Sequence, residues 1–255
     1  MKKTLLIRTA LILLPLGVAS SAARAQDATG FRLGVKFGGT YSNVSGDDVK
    51  QFTGANYSTD LGDYKLGYNA GVGIQIPVSS DGFFVIAPEL LYNRKGYEIT
   101  SDRNTGFAAG SNISSIEIEQ QRVLHYVDLP ILARINAGGL FFELGPQVSY
   151  LFGSKNKSQT TTKFSNGDKD KVENDGQFQT YLGTLLDNSE KSDLSNVDIS
   201  GVAGIGYQLT SGLNFSLRYA RGFNSIIDSK NSDNEPKVFN NAFTLQAGYL
   251  FQFGK

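Results

Sequence analysis

The chain has 255 residues with 24 basic and 24 acidic side chains, and a zero net charge gives no reason to expect a nucleic-acid partner. It has no cysteine, which excludes a disulfide framework and a thiolate metal centre. Its 29 glycines and 17 phenylalanines are unusual companions, and the order in which they alternate is the main signal in the chain.

Lys2, Lys3 and Arg8 precede a short apolar run over residues 10–18, and Ala23, Arg24 and Ala25 form an A-x-A cleavage site. This is the pattern of a secretory signal peptide. The run is too short for a membrane-spanning helix, which needs about 20 residues. Residues 1–25 are therefore expected to be removed, leaving one domain over residues 26–255. Removal takes four basic and no acidic residues, so the mature chain is mildly acidic.

Eight segments then alternate with a period of two, the signature of strands. They cover residues 31–41, 66–76, 84–95, 125–135, 140–152, 197–209, 213–219 and 243–253. In the first, Phe31, Leu33, Val35, Phe37 and Tyr41 oppose Arg32, Gly34, Lys36, Gly38 and Thr40. In the last, Phe243, Leu245, Ala247, Tyr249, Phe251 and Phe253 oppose Thr244, Gln246, Gly248, Leu250 and Gln252. Each apolar stripe matches the roughly 9–11 residues of a tilted strand crossing a bilayer.

The connections separate lipid from a protein core. Those over residues 77–82, 136–139 and 210–212 are short. Those over residues 42–65, 96–124, 153–196 and 224–242 are long and polar. Such alternation is expected of an outer-membrane barrel with short periplasmic turns and long extracellular loops. Aromatic residues gather at both ends of the stripes, as in the girdles of such barrels. Glycines fall on the polar face, where a narrow eight-stranded interior needs small residues between large ones. The predicted fold is all-β: an eight-stranded antiparallel up-and-down transmembrane barrel in the outer membrane, with a packed lumen. Pro88, Pro130 and Pro146 lie inside three consecutive strands, where β-bulges or locally missing bonds are expected.

The stretches over residues 87–99 (APELLYNRKGYEI), 125–135 (HYVDLPILARI) and 141–153 (FFELGPQVSYLFG) resemble the PorT-like outer-membrane β-barrel family, frequent in Bacteroidota. The first and last strands resemble its terminal strands. The resemblance implies an outer-membrane barrel. It also raises the role of accessory to a secretion machine, after which the family is named.

The interior charges are Arg32, Lys36, Glu89, Lys95, Asp128, Arg134, Glu143 and Arg218. They are read as salt-bridged filling of a closed lumen, because unpaired buried charge is costly; the alternative is a narrow ion path. Glu89, Arg134 and Glu143 are the strongest candidates for cross-strand pairs. His125 is the only histidine and is read as an interfacial polar residue; the alternative is a lipid-modifying catalyst. Residues 166–176 are charge-rich but lack calcium-loop order and are read as a solvated loop. In the longest loop, Phe178, Tyr181, Leu182, Leu185 and Leu186 recur at helical spacing. Within residues 174–192 they predict a short helix, capped by Asn174 or Asp175 and ended by Asp187, Asn188 and Ser189. Its apolar face is expected over the mouth and neighbouring loops, then on the outer leaflet, then against a partner, and the alternative is a disordered loop with chance spacing.

The functional expectation is a non-enzymatic structural or surface-interaction protein. A narrow solute channel, a secretion accessory and a lipid-modifying enzyme follow in that order. No metal or cofactor is expected. The expected partners are outer-membrane lipid and a surface or periplasmic protein, and the barrel is expected to be monomeric.

Overall fold

The computed structural model describes residues 30–46, 48, 56–180, 194–228 and 237–251. Residues 1–25 lie outside that set. Eleven strands follow in order: β1 (Arg32–Ser45), β2 (Ser58–Leu61), β3 (Lys65–Pro77), β4 (Phe84–Arg103), β5 (Ile113–Ala137), β6 (Leu140–Phe164), β7 (Lys169–Asp175), β8 (Gln179–Thr180), β9 (Val197–Gln208), β10 (Leu213–Gly222) and β11 (Phe239–Phe251).

Eight of them form a ring. The order is β1, β3, β4, β5, β6, β9, β10 and β11, each antiparallel to the next. The ring closes where β1 pairs with β11 from Leu33↔Phe251 to Ser45↔Phe239. Closure leaves no edge, so every strand finds its backbone partners within the sheet, as lipid requires.

Side-chain polarity is inverted relative to a water-soluble protein. Phe37, Leu144 and Leu245 are 64–66% exposed, whereas their neighbours Lys36, Glu143 and Gln246 are buried. The outward apolar band meets lipid and the inward polar face fills the lumen. The short turns suit their strands. Gly138 and Gly139 both have positive φ, 61° and 96°, which a two-residue hairpin turn with the sheet's own twist demands.

The predicted segments and the ring strands coincide, but three strands are far longer than expected. β4 has 20 residues, and β5 and β6 have 25 each. A strand of that length spans about 80 Å, well beyond a bilayer. Much of what the sequence presents as long polar loops, over residues 96–124 and 153–196, is therefore ordered sheet. The surplus of β4, β5 and β6, flanked by β2 and β7, makes a five-stranded tower outside the membrane. Above Tyr97 and Ile99 its strands have no buried apolar stripe, because most of their side chains are partly or fully exposed to water. Ion pairs and polar bonds bridge them instead: Lys163–Glu117 at 3.4 Å, Gln159–Glu119 at 3.0 Å and Lys155–Asp175 at 2.9 Å. The Lys155 hydrogen bond holds the Asp175 carboxyl below the usual carboxylate range. At the tip, the Arg103 guanidinium lies 4.8 Å from the Phe107 ring centre.

Strand replaces the start of the predicted loop helix. Asn174 and Asp175, expected as its cap, end β7, and Gln179 and Thr180 pair with Ser154 and Gly153 of β6. The free edge of β6 offers backbone partners that a solvated helix start lacks. Tyr181, Leu182, Leu185 and Leu186 lie outside the described residues. Residues 166–176 form the β6–β7 turn and β7, not an open loop.

The prolines act by missing pairs, not by bulges. The β3–β4 ladder skips from Gly73↔Glu89 to Ile76↔Ile86 beside Pro88. The β4–β5 ladder skips from Pro88↔Ile131 to Leu91↔Asp128 beside Pro130. The β5–β6 ladder skips from Pro130↔Gln147 to Ala133↔Leu144 beside Pro146. Register is unchanged across each gap, because an absent N–H removes a bond without adding a residue.

Arginine at Leu245 or Val72, both on the lipid-facing band, should destabilise the folded barrel by about 2–4 kcal/mol, and arginine at Ser158 in the tower by almost nothing. Equilibrium unfolding in lipid vesicles measures both. Equal tolerance would place the apolar face outside lipid.

Candidate functional site

The lumen is built in layers, and the inward residues of β4 list them in order from the short-turn end: Ala87, Glu89, Asn93 with Lys95, then Tyr97 with Ile99. Alternation along each strand delivers one side chain per layer from each wall.

The lowest layer is held by Arg134. Its Nε donates to Asn136 Oδ1 at 2.7 Å and its Nη2 to Gln208 Oε1 at 2.5 Å. The guanidinium lies 3.5 Å from the centre of the Phe141 ring. That ring occupies the space a side chain at Gly206 would need: a Cβ there would sit 2.2 Å from Phe141 Cζ. Ala87, Leu132 and Val202 form a small apolar patch beside it.

Glu89 and Arg218 make the central layer. Arg218 grips Glu89 through two bonds, Nη1 to Oε2 at 2.6 Å and Nη2 to Oε1 at 2.8 Å. Its Nε also donates to Glu143 Oε2 at 2.8 Å. Lys36 donates to Glu89, and Arg134 Nη1 stands 3.8 Å from Glu143 Oε1. The guanidinium fork matches the carboxylate geometry, which a lysine at 218 could not do.

Above it, Gln246 donates to Asn69, Asn69 to Thr40, Thr40 to Asn93 and Asn93 to Asp128, at 2.7–3.0 Å. Lys95 Nζ lies 3.2 Å from Asp128 Oδ2 and 4.8 Å from the Tyr126 ring centre. Asp198 accepts from Asn240 at 2.8 Å, and Asn240 also donates to the Tyr126 hydroxyl at 3.2 Å. Among the described residues, the buried charges are four cations (Lys36, Lys95, Arg134, Arg218) and four carboxylates (Glu89, Asp128, Glu143, Asp198). The lumen is thus balanced.

The outermost layer is apolar. Val44, Tyr97, Ile99, Leu124, Tyr126, Leu151, Leu194, Ile226, Ile227 and Val238 form one buried cluster. Leu194 and Ile226–Ile227 come from the segments before β9 and after β10. They are tied by a bridge between Leu194 and Ile227 and by the Ile226 N–H donating to the Val238 carbonyl at 2.8 Å. These residues plug the outer mouth.

Of the charges named from sequence, Lys36, Glu89, Lys95, Asp128, Arg134, Glu143 and Arg218 converge in the lumen. Arg32 does not. It is the first residue of β1 and stays exposed at the short-turn end, where the lumen opens to water. Sequence reasoning also missed Asp198 and the plug. Asp198 continues the inward parity of β9 beyond Gly206 and Gly204, through Val202 and Ser200. Apart from Tyr126 and Leu151, which lie in predicted strands, the plug residues sit in stretches whose polarity reads as loop. His125 faces outward: Tyr92 Oη lies 2.7 Å from its Nδ1, and the Phe178 ring meets it edge-on at 5.1 Å. Phe178, expected on a helix, instead lies over Gly153 on the outer wall, 51% exposed. Among the described residues no group of three or more His, Cys, Asp or Glu side chains is placed to hold a metal ion.

The family described as outer membrane protein beta-barrel domain matches residues 21–228, and the chain belongs to it. It is a protein of the outer membrane. Similar solved structures include Ail, the attachment invasion locus protein of Yersinia pestis, at 14% identity and a TM-score of 0.40, covering 86% of this chain and 98% of that one. Neisserial surface protein A aligns at 9% identity and a TM-score of 0.36, covering 86% and 97%. OprG from Pseudomonas aeruginosa aligns at 13% identity and a TM-score of 0.29, covering 87% and 94%. No curated protein matches the chain in sequence.

Replacing Glu89 by alanine leaves Arg218 and Lys36 buried beside a single remaining carboxylate. Breaking a buried pair from one side costs about 3–5 kcal/mol. Glu89→Ala should therefore unfold at lower temperature in a heat-modifiable gel-mobility assay, and unchanged mobility would mean that water already solvates this layer.

Proposed function

We propose that this outer-membrane barrel is a sealed, non-enzymatic anchor that presents its five-stranded tower to a macromolecular partner at the cell surface. The observation that carries this reading is the apolar plug above a charge-balanced lumen. Ten buried apolar and aromatic side chains close the outer mouth. Beneath them, bidentate Arg218–Glu89 bonding spans the interior from β10 to β4. A solute path would have to part both.

The non-enzymatic reading draws support from His125. Its partners among the described residues are Tyr92, Phe152 and Phe178, none of which is a serine or carboxylate that would activate it. Export by a signal peptide cleaved after Ala25 fits an outer-membrane address. A closed ring satisfies its own edges, which favours a monomer. The stretches resembling the PorT-like family lie on β4, β5 and β6, the strands that build the tower. That supports a place in this branch and a source among Bacteroidota.

In a planar bilayer, the purified protein should give no steady single-channel steps, because the plug and the central layer block the lumen. Reproducible unitary conductance would replace the sealed-anchor reading with that of a narrow channel. Co-purification with a defined periplasmic complex, undiminished by deletion of residues 104–112 at the tower tip, would instead favour a secretion accessory.

A further inference from the structure

The outward face of β4 changes character at one residue. It runs Ile86, Pro88, Leu90 and Tyr92 through the lipid band, then reaches Arg94, then Glu98, Thr100 and Asp102 in the tower. Arg94 thus stands where hydrocarbon gives way to the headgroup layer of the outer leaflet. Its guanidinium donates through Nη1 to the Leu66 carbonyl at 3.1 Å. Among the described residues it has no carboxylate partner, although Lys65, close by, pairs with Glu98. An arginine has five N–H donors, so most of this fork is unused.

Its surroundings are aromatic. In register, Tyr68 of β3 stands opposite Arg94, and Arg94 stands opposite His125 of β5. Cross-strand neighbours of this kind have Cβ atoms about 4.5–5.5 Å apart. The Tyr68 and Tyr92 rings lie 5.7 Å apart, and Tyr92 and Phe152 lie 6.0 Å apart. Phe152 is the extra residue of a β-bulge, since His125 pairs with Gly153 and Tyr126 with Leu151. Beyond it, Phe178 reaches back from the tower and sets the tip of its ring over Gly153, where a Cβ would come within 2.3 Å of Cζ. A loop phenylalanine held on the outer wall by a glycine extends the aromatic row. The Tyr92 hydroxyl lies 2.7 Å from His125 Nδ1, and the imidazole Nε2 is left for a further hydrogen bond.

We propose that Arg94 and His125, walled by Tyr68, Tyr92 and Phe178, form a docking site for the phosphorylated headgroup of an outer-leaflet lipid. The guanidinium takes the phosphate oxygens, a pairing that its planar fork favours and that is strengthened next to hydrocarbon. The rings pack against the sugar or glycerol and the first methylenes below the phosphate, as amphipathic rings do at headgroup level. This site is on the outside of the wall and is independent of whether the lumen conducts.

The test uses the folded mature protein in detergent, offered lipid A monophosphate or the same lipid without its phosphate, with retained lipid counted by native mass spectrometry. Wild type should keep one phosphorylated lipid and lose the dephosphorylated one. Arg94→Gln should reduce retention about tenfold, the scale of one charged hydrogen-bonded contact. Arg221→Gln, which removes a cation from the outer end of β10, should leave it unchanged. Inorganic phosphate at equal concentration should give no lasting adduct. The proposal is overturned if Arg94→Gln retains as much as wild type, if wild type holds the two lipids equally, or if inorganic phosphate alone binds as well.

Discussion

A bilayer offers no hydrogen bonds to a polypeptide backbone, and everything else in this protein follows from that deficit. A sheet in lipid must close, because an open edge would leave a row of N–H and C=O groups unsatisfied. Closure through β1 and β11 fixes eight strands. Eight strands leave an interior wide enough only for side chains. The lipid outside then takes the apolar residues, and the inside receives the polar ones. In so narrow a space charge must be matched residue by residue. Arg218 meets Glu89 and Glu143, Lys95 meets Asp128, and among the described residues the buried cations and carboxylates are equal in number.

The same logic explains where the chain leaves the membrane. Above the bilayer the backbone can turn to water, and the constraint on sequence relaxes. β4, β5 and β6 nevertheless continue as sheet, because paired strands already in register extend at little further cost in order. What changes is the inward face. Within the bilayer it is Glu89, Asn93 and Lys95, and at the mouth it becomes Tyr97 and Ile99. Apolar residues at the outer lumen can then collect loop side chains such as Leu194 and Ile226 into a hydrophobic cap.

How much of this can be read from the chain depends on the solvent each segment meets. Within the bilayer, lipid on one side and a tight polar lumen on the other force strict alternation, so all eight ring strands and their facing are visible in the sequence. Phe37, Lys36 and Thr40 could hardly be arranged otherwise. In the tower, water wets both faces. Stretches such as residues 155–163, rich in Lys and Thr, have no apolar phase and read as loop. The helical spacing of Phe178 and its neighbours misleads for a related reason: the β6 edge at Gly153 and Ser154 is a partner that local pattern cannot reveal. Arg32 shows the limit of parity alone. It has the inward phase, but it stands at the end of β1, beyond the last layer.

The central claim is that adjacent residues on one strand face a lipid exterior and a sealed lumen. The protein has no cysteine, so single cysteines report without background. Ser216 and Leu217 are neighbours on β10, the first buried and the second 50% exposed. The most direct measurement is to place a cysteine at each in turn and challenge the barrel in lipid vesicles with a small water-soluble thiol reagent and a lipid-soluble one. The account predicts that Leu217→Cys reacts only with the lipid-soluble reagent and that Ser216→Cys reacts with neither until the barrel is unfolded. Rapid labelling of Ser216→Cys by the water-soluble reagent would contradict it, since the lumen would then be open to water.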